Sequence, residues 1–288
     1  MLAGGCGSSS GSGLDGPTDD PVIEAGEPPA DTPTSQAAAP VPPQTTAPPA
    51  TAATGYRVGV TPLPKGPDGK PLVLPTPEPL RDRRLPSVDR LPPPPVGAPY
   101  ASTSAPIDAA LAARIGTTWQ PGCPVPLAAL RYLTLSFWGF DAKQHTGELV
   151  VNESAADDMR KVFGRLFAAR FPIEEMRIVE PADLAAEPTG DGNGTAAFVC
   201  RPVRGSTTTF SAHSYGLAVD VNPFQNPYQK EASVLPELAS AYLDRKVARP
   251  GMIRKGDVVT RAFAEVGWTW GGSWTTTRDT MHFSANGR

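Results

Sequence analysis

Apolar positions in the second half of the chain recur with helical spacing in three places. Between residues 155 and 171, large apolar side chains return every three or four positions, which predicts a helix that ends before Pro172. The same spacing over 256–266 predicts a helix with Asp257 as its N-cap. A shorter apolar pattern predicts another helix over 235–243.

Shorter apolar segments between these helices have the composition of strands. Residues 148–151 and 173–179 are rich in apolar and β-branched side chains, and residues 217–221 alternate between large apolar and small or acidic side chains. The mixture predicts an α+β domain over 119–288.

The first part of the chain has a different composition. Of the 35 prolines, 23 lie in the first 100 residues, whereas only Tyr56 and Tyr100 of the 21 aromatic residues lie there. Few large apolar side chains are available to offset the entropy of ordering this part. We therefore expect a disordered tether over 1–55 and a Pro-rich linker over 56–118, whose short apolar islands could instead pack onto the domain as edge strands.

Charge and hydropathy exclude two classes of partner. The net charge of -3 and the pI of 5.7 leave no basic surface for nucleic acid. No apolar run approaches the roughly 20 residues that a membrane-spanning helix needs. We expect a monomer without nucleic-acid partners, attached to a membrane only through lipid or a lost signal segment.

The three cysteines suggest one cysteine with a separate role and one disulfide-bonded pair. Cys6 follows small residues and precedes a Gly/Ser-rich stretch, as in the lipidated N-terminus of a bacterial lipoprotein; the alternative is an incidental cysteine in a flexible start. An odd count in an exported protein favours a disulfide between the other two, Cys123 and Cys200. The alternative is three reduced thiols in the cytosol.

Two segments carry the candidate chemistry. The first is Ser211-x-His213-x-x-Gly216-x-Ala218-x-Asp220, and the second, about 60 residues later, contains Asp279-x-x-His282. Imidazole and carboxylate groups are zinc ligands, and catalytic zinc sites keep three protein ligands. His213, Asp220 and His282 therefore form a candidate Zn²⁺ site.

These motifs resemble those of the VanY-like D-alanyl-D-alanine carboxypeptidases, a family that includes the L-alanyl-D-glutamate endopeptidases. The resemblance covers roughly residues 123–284. It implies the Hedgehog/DD-peptidase fold, a small and mostly antiparallel sheet flanked by helices. It also implies that His213, Asp220 and His282 bind the metal and that Asp279 is the general base. A strand would turn Asp279 and His282 to opposite faces, so a turn or bulge near Thr280 is required.

Further residues have two open interpretations each. Arg201 is a candidate to hold a substrate carboxylate or the oxyanion, or is a surface arginine in an ordinary salt bridge. Ser211 binds substrate or caps a turn, and Tyr215 and Trp274 line the cleft or belong to the core. His145 could replace Asp220 in a three-histidine site, but a structural hydrogen bond is favoured.

The leading hypothesis is a zinc metallopeptidase that cleaves peptidoglycan peptides in the cell envelope, outside the cytoplasm. Two alternatives remain. One is a non-catalytic, zinc-containing cell-wall-binding domain of the same fold. The other is a dipeptidase that acts on free D-alanyl-D-alanine. Removal of terminal D-Ala and cleavage between L-Ala and D-Glu are both open.

Overall fold

The computed structural model describes residues 56–203, 206 and 208–287. The predicted tether over 1–55, with Cys6, lies outside these residues. The described part contains helices and small sheets in mixed order, as the sequence predicted. The helices are α1 (Ala109–Ile115), α2 (Ala156–Ala168), α3 (Pro181–Ala185) and α4 (Val258–Glu265).

Eleven short strands are present in the described residues. In chain order they are β1 (Ser102–Pro106), β2 (Leu130–Trp138), β3 (Gln144–Asn152), β4 (Glu175–Met176), β5 (Gly194–Thr195), β6 (Ala218–Asp220), β7 (Tyr228–Lys230), β8 (Ser233–Leu235), β9 (Thr269–Trp270), β10 (Arg278–Asp279) and β11 (His282–Ser284). They form three antiparallel three-stranded sheets, ordered β1-β2-β3, β10-β7-β8 and β6-β11-β9, and a parallel β4-β5 pair.

The main core lies between the β1-β2-β3 sheet and helices α2 and α4. The apolar face predicted for α2 is buried, and Met159, Val162 and Phe163 are at most 1% exposed. Phe263 of α4 stacks on Phe283 of β11 with ring centroids 3.9 Å apart. This core fixes the strand that carries His282.

Two predicted elements differ in the structure. The helix over 235–243 is wrong: Leu235 ends β8, and only Ser240–Tyr242 form a 3-10 turn. The amide of Leu238 donates to the carbonyl of Gly190, so tertiary pairing replaces the helical hydrogen bond. The strand over 173–179 shrinks to the two residues of β4.

Residues 56–118, expected to form a linker, pack along the rest of the described chain. Leu63 and Leu80 are buried in one cluster with Phe224 and Tyr242. Arg83, itself buried, pairs with both carboxylate oxygens of Glu174 at 2.6 and 2.8 Å. The apolar islands of this segment therefore pack onto the rest of the described chain, an alternative that the sequence left open. The domain boundaries stay a prediction.

The predicted disulfide is confirmed. Cys123 and Cys200 are bonded with Cα atoms 5.9 Å apart, across a sequence separation of 77 residues. Among the residues described here, none of the helices is both long and apolar enough to cross a membrane.

Candidate metal centre

The centre is built on the antiparallel pair of β6 and β11. In its register His282 lies opposite Asp220, and Phe283 lies opposite Val219. Val219 and Phe283 are fully buried in the core. Because neighbouring side chains of a strand point to opposite faces, Asp220 and His282 both project from the other face of the pair.

The third candidate ligand, His213, lies on a 3-10 turn over Ala212–Tyr215. Ser211 caps this turn, because its Oγ accepts a hydrogen bond from the His213 amide. Gly216 ends the turn with φ of +65°, and a Cβ there would lie 2.4 Å from the backbone nitrogen of Asn152. Glycine is therefore required for this turn to pack against β3, as the small residues of the motif predicted.

The donor atoms of the three residues form a compact triangle. His213 Nε2 is 3.2 Å from His282 Nδ1 and 3.3 Å from Asp220 Oδ2, and His282 Nδ1 is 3.1 Å from Asp220 Oδ1. Ligand atoms about 2.0–2.2 Å from a tetrahedral zinc ion would lie about 3.3–3.6 Å apart. The measured separations are close to these, so the donor set fits a zinc ion by both chemistry and spacing.

A backbone carbonyl fixes the orientation of the first imidazole. His213 Nδ1 lies 2.5 Å from the carbonyl oxygen of Ala197. Donation from Nδ1 leaves the Nε2 lone pair directed at the other two ligands, which is the usual arrangement around a metal. The preceding residue, Ala196, forms two backbone hydrogen bonds with Asp220. Sequence reasoning missed Ala197, because a carbonyl acceptor has no side-chain signature.

The charge of Asp220 is stabilised by its neighbours. Burial alone would raise its pKa, but the two imidazoles of His213 and His282 hold the pKa of this carboxyl well below its usual range. Asp220 is therefore an anion at neutral pH, the form that binds a metal ion.

The strand that leads to His282 is interrupted, as the motif required. Asp279 ends β10 and pairs with Tyr228, whereas His282 begins β11 and pairs with Asp220. The two residues between them belong to neither strand. Thr280 is held there, because its Oγ1 donates to the Pro227 carbonyl at 3.0 Å.

Asp279 is a largely buried carboxyl group with a raised pKa. Its Oδ1 is buried and has no hydrogen-bond partner in the part of the chain that the structure describes. Burial raises the pKa of Asp279 to about 7, the Asp220 carboxylate adds to the rise, and His282 and Arg201 oppose it. These interactions place Asp279 within electrostatic range of two predicted ligands and of Arg201.

Arg201 is a surface residue whose backbone is tied to the metal-bearing turn. Its amide donates to Ser214 Oγ at 2.9 Å, and its carbonyl accepts from the Ser211 amide at 3.1 Å. Its guanidinium is exposed and forms no ion pair with the described carboxylates, so the predicted alternative of an ordinary salt bridge is not seen. Sequence reasoning missed Ser214 as the residue that joins Arg201 to this turn.

The other predicted site residues are placed as follows. The Trp274 ring lies 5.5 Å from that of His282, centroid to centroid, and so borders the centre. Tyr215 follows His213 on the same turn and is 36% exposed, so it does not belong to the core. Ser211 takes its capping role.

His145 lies apart from the candidate centre. Its Nδ1 is 2.8 Å from Asp89 Oδ1 and its Nε2 is 3.1 Å from Asp141 Oδ1. The group that could hold a metal consists of His213, Asp220 and His282, with donor atoms all within 4.8 Å of one another. The favoured structural role of His145 is therefore confirmed.

Comparison with known proteins points to the same family as the motifs. No curated protein and no solved structure matches the chain. The sequence model of a peptidase family described as D-alanyl-D-alanine carboxypeptidase matches residues 204–285, the segment that carries all three candidate ligands and Asp279. The resemblance predicted from the motifs is thereby confirmed over this segment, which is similar in sequence to the D-alanyl-D-alanine carboxypeptidases.

Proposed function

We propose that this protein is a zinc-dependent peptidase of the Hedgehog/DD-peptidase fold that hydrolyses the stem peptides of peptidoglycan. The observation that carries the proposal is the triangle of His213, Asp220 and His282 with the unpartnered carboxyl of Asp279 beside it. A purely structural metal site would need no such carboxyl group. The match of residues 204–285 to a carboxypeptidase family supports the same function.

The protein groups have separate roles in this proposal. His213, Asp220 and His282 would hold the zinc ion, which when bound polarises a peptide carbonyl and makes water more acidic. Asp279 accepts the proton of the attacking water at its unpartnered oxygen and then donates it to the departing amine. A pKa of about 7 in the metal-free site suits a carboxyl group that must both accept and release a proton near neutral pH.

Arg201 is proposed to hold an anionic group of the substrate. Its guanidinium is exposed, lacks a carboxylate partner among the described residues and lowers the pKa of Asp279, so its charge reaches the centre. A guanidinium can bind a carboxylate through two parallel hydrogen bonds. This placement suits a substrate with a free C-terminal carboxylate, and the description of the matched family favours removal of terminal D-Ala over cleavage between L-Ala and D-Glu.

We further propose that the protein acts in the cell envelope, outside the cytoplasm. The Cys123–Cys200 disulfide supports this location, because such bonds persist in oxidising compartments. Lipid attachment at Cys6 would hold the enzyme at the outer face of the membrane. Labelling with a radioactive fatty acid, compared with a Cys6→Ser variant, tests the anchor.

Digestion of purified muropeptides tests the activity. We expect products that disappear when a chelator removes the metal and return when zinc is added, with their masses identifying the cleaved bond. Wild-type protein and Asp279→Asn should bind the same amount of zinc, while only the wild type yields products. Zinc binding without any product from the wild type would support the non-catalytic wall-binding domain instead.

A further inference from the structure

A cavity lies beside the segment that carries Asp279. It has a volume of about 570 Å³ and is lined in part by Arg278 and Thr280, the two neighbours of Asp279. Neither Asp279 nor any of the three candidate ligands lines this cavity. It is therefore a different site from the one proposed for catalysis.

The lining of this cavity is strongly cationic. Four of its nine residues are Arg245, Arg254, Lys255 and Arg278, and none of the nine is acidic. The whole chain, by contrast, has a net charge of -3. Four positive charges around one cavity are unfavourable unless an anion offsets their repulsion.

Among the described residues, Asp257 offsets part of this charge from a distance, but no carboxylate forms an ion pair with any of the four cations. None of the four cations lies within 4.0 Å of a described acidic oxygen. The nearest acid in the sequence, Asp257, uses its carboxylate to cap α4 and to accept from the Arg254 amide at 2.7 Å. The Nη2 atom of Arg254 is buried and has no hydrogen-bond partner in the described structure. A buried donor of this kind normally has an acceptor, so an acceptor from outside the chain is expected.

Arg245 is fixed in place by neutral groups. Its guanidinium donates to the carbonyls of Gln225 at 2.7 Å and Ile253 at 2.6 Å. These contacts satisfy its hydrogen bonds, and the nearby Asp257 carboxylate compensates only part of its charge. Burial and the charges of Arg254 and Arg278 together lower the pKa of Arg245 to about 10, against the opposing effect of the Asp257 carboxylate.

One wall of the cavity is held rigidly by an aromatic ring. The indole Nε1 of Trp270 donates to the Thr280 carbonyl at 2.9 Å. The backbone of Gly272 packs closely against the same ring, since a Cβ there would be 2.2 Å from the indole. The cavity is thus formed before any ligand binds, and its Trp270 indole proton can report on occupancy.

We propose that this cavity binds an oxyanionic group, a carboxylate or a phosphate, through Arg254, Lys255 and Arg278. Guanidinium groups bind both kinds of oxyanion through paired hydrogen bonds, and the ammonium of Lys255 adds charge. Binding here depends on neither the metal centre nor peptide hydrolysis, so it goes beyond the function proposed above.

Titration of the zinc-loaded protein with inorganic phosphate and, separately, with glutarate tests this site. Binding is followed at low ionic strength by the NMR signal of the Trp270 indole proton, assigned with Trp270→Phe. We expect this signal to shift with saturation for at least one anion. The double variant Lys255→Ala/Arg278→Ala removes two exposed charges and should weaken binding by about tenfold or more. Arg254→Lys tests the buried donor.

Lys161→Ala is the matched control, because Lys161 is an exposed lysine on α2 and does not line the cavity. It should bind the anion as the wild type does. Preference for phosphate would indicate a phosphate-bearing ligand, and preference for glutarate a peptide carboxylate. The proposal is overturned if neither anion shifts the Trp270 signal, or if the double variant binds both anions as tightly as Lys161→Ala. Anion binding is measured without peptide hydrolysis, so a protein that lacks peptidase activity would still test this proposal.

Discussion

Asp220 and His282 are direct partners across the antiparallel pair of β6 and β11, with Asp220 Oδ1 3.1 Å from His282 Nδ1. Two of the three candidate ligands are therefore positioned by one hydrogen-bonded ladder. Phe283 and Val219, paired next to them, anchor the same ladder in the core. The separation of these two ligands thus depends on packing that exists without the metal.

Replacing Asp220 by asparagine should remove most of the zinc affinity. The amide has nearly the same shape but no charge, so it is a far weaker ligand. We expect the zinc-to-protein ratio, measured by atomic emission after dialysis, to fall from near one to near zero at zinc concentrations that saturate the wild type. Circular dichroism should remain that of the folded protein.

His145→Gln is the matched control for a lost ligand. His145 is the only histidine outside the candidate centre, and its ring bonds Asp89 and Asp141 instead. The variant should lose thermal stability but keep the wild-type zinc content. Loss of zinc from His145→Gln with retention in Asp220→Asn would reverse the assignment of ligands.

Asp279→Asn should separate metal binding from catalysis. The substitution keeps the size of the side chain but removes its ability to accept a proton. Removing a general base typically lowers kcat by about 10²- to 10⁴-fold. The zinc content should stay near that of the wild type, and kcat on muropeptides is the quantity to measure. A variant with full zinc and unchanged kcat would exclude Asp279 as the base.

The raised pKa of Asp279 also predicts a dependence of stability on pH in the metal-free protein. Its pKa is about 7 in the folded chain and about 3.9 when unfolded, so between these pH values the folded state binds the extra proton. The contribution of this proton is fully present below about pH 4 and is lost as pH rises to 7. Asp279→Asn cannot ionise, so its Tm should exceed that of the wild type at pH 8 by several degrees, with little difference at pH 4.

Asp220 gives the stability of the fold a dependence on pH of the opposite sign. It does not affect the comparison between the wild type and Asp279→Asn. Its lowered pKa makes stability increase with pH, and both proteins carry the same group. Differential scanning calorimetry after metal removal, at several pH values, gives the Tm difference directly. A difference that is constant with pH would show that the ionised form of Asp279 is not penalised in the fold.

Much of the centre could be predicted because its information is local. The motif around His213 contains its own turn, with Ser211 as the cap and Gly216 as the left-handed end, and the strand over 218–220 alternates between core and site. The need for a break between Asp279 and His282 also follows from strand geometry. These features depend on residues close in sequence.

The parts that could not be predicted depend on distant contacts. The orienting carbonyl of Ala197 is brought to His213 by pairing between Ala196 and Asp220, which leaves no trace in side-chain type. The helix predicted over 235–243 fails for the same reason, since Leu238 bonds Gly190. The buried pair of Arg83 and Glu174 shows why composition alone left the packing of residues 56–118 open: a few specific contacts order a proline-rich segment.

The disulfide should contribute strongly to stability, because it closes a long loop. A bridge across 77 residues is expected to stabilise the fold by about 4 kcal/mol in the chain-entropy model. Cys123→Ala/Cys200→Ala should lower the denaturant midpoint accordingly, while Cys6→Ala should leave it unchanged. Zinc content should persist under conditions where the variant is folded, since neither cysteine touches the candidate ligands.

Gly216 gives the sharpest test of how the turn positions His213. An alanine there must adopt φ of +65° and also place its Cβ 2.4 Å from the Asn152 nitrogen, a backbone atom that cannot rotate away. The left-handed conformation alone costs about 1–2 kcal/mol. Gly216→Ala should therefore cost about 3 kcal/mol or more and should also weaken zinc binding, because the turn must move away from β3 and take His213 with it.

Gly267 is the matched control, because its φ is +81° but nothing lies within 4 Å of an added Cβ. Gly267→Ala should show only the conformational cost, measured by urea unfolding. Equal destabilisation of the two variants, with zinc affinity retained in both, would mean that the contact with β3 does not position the ligand.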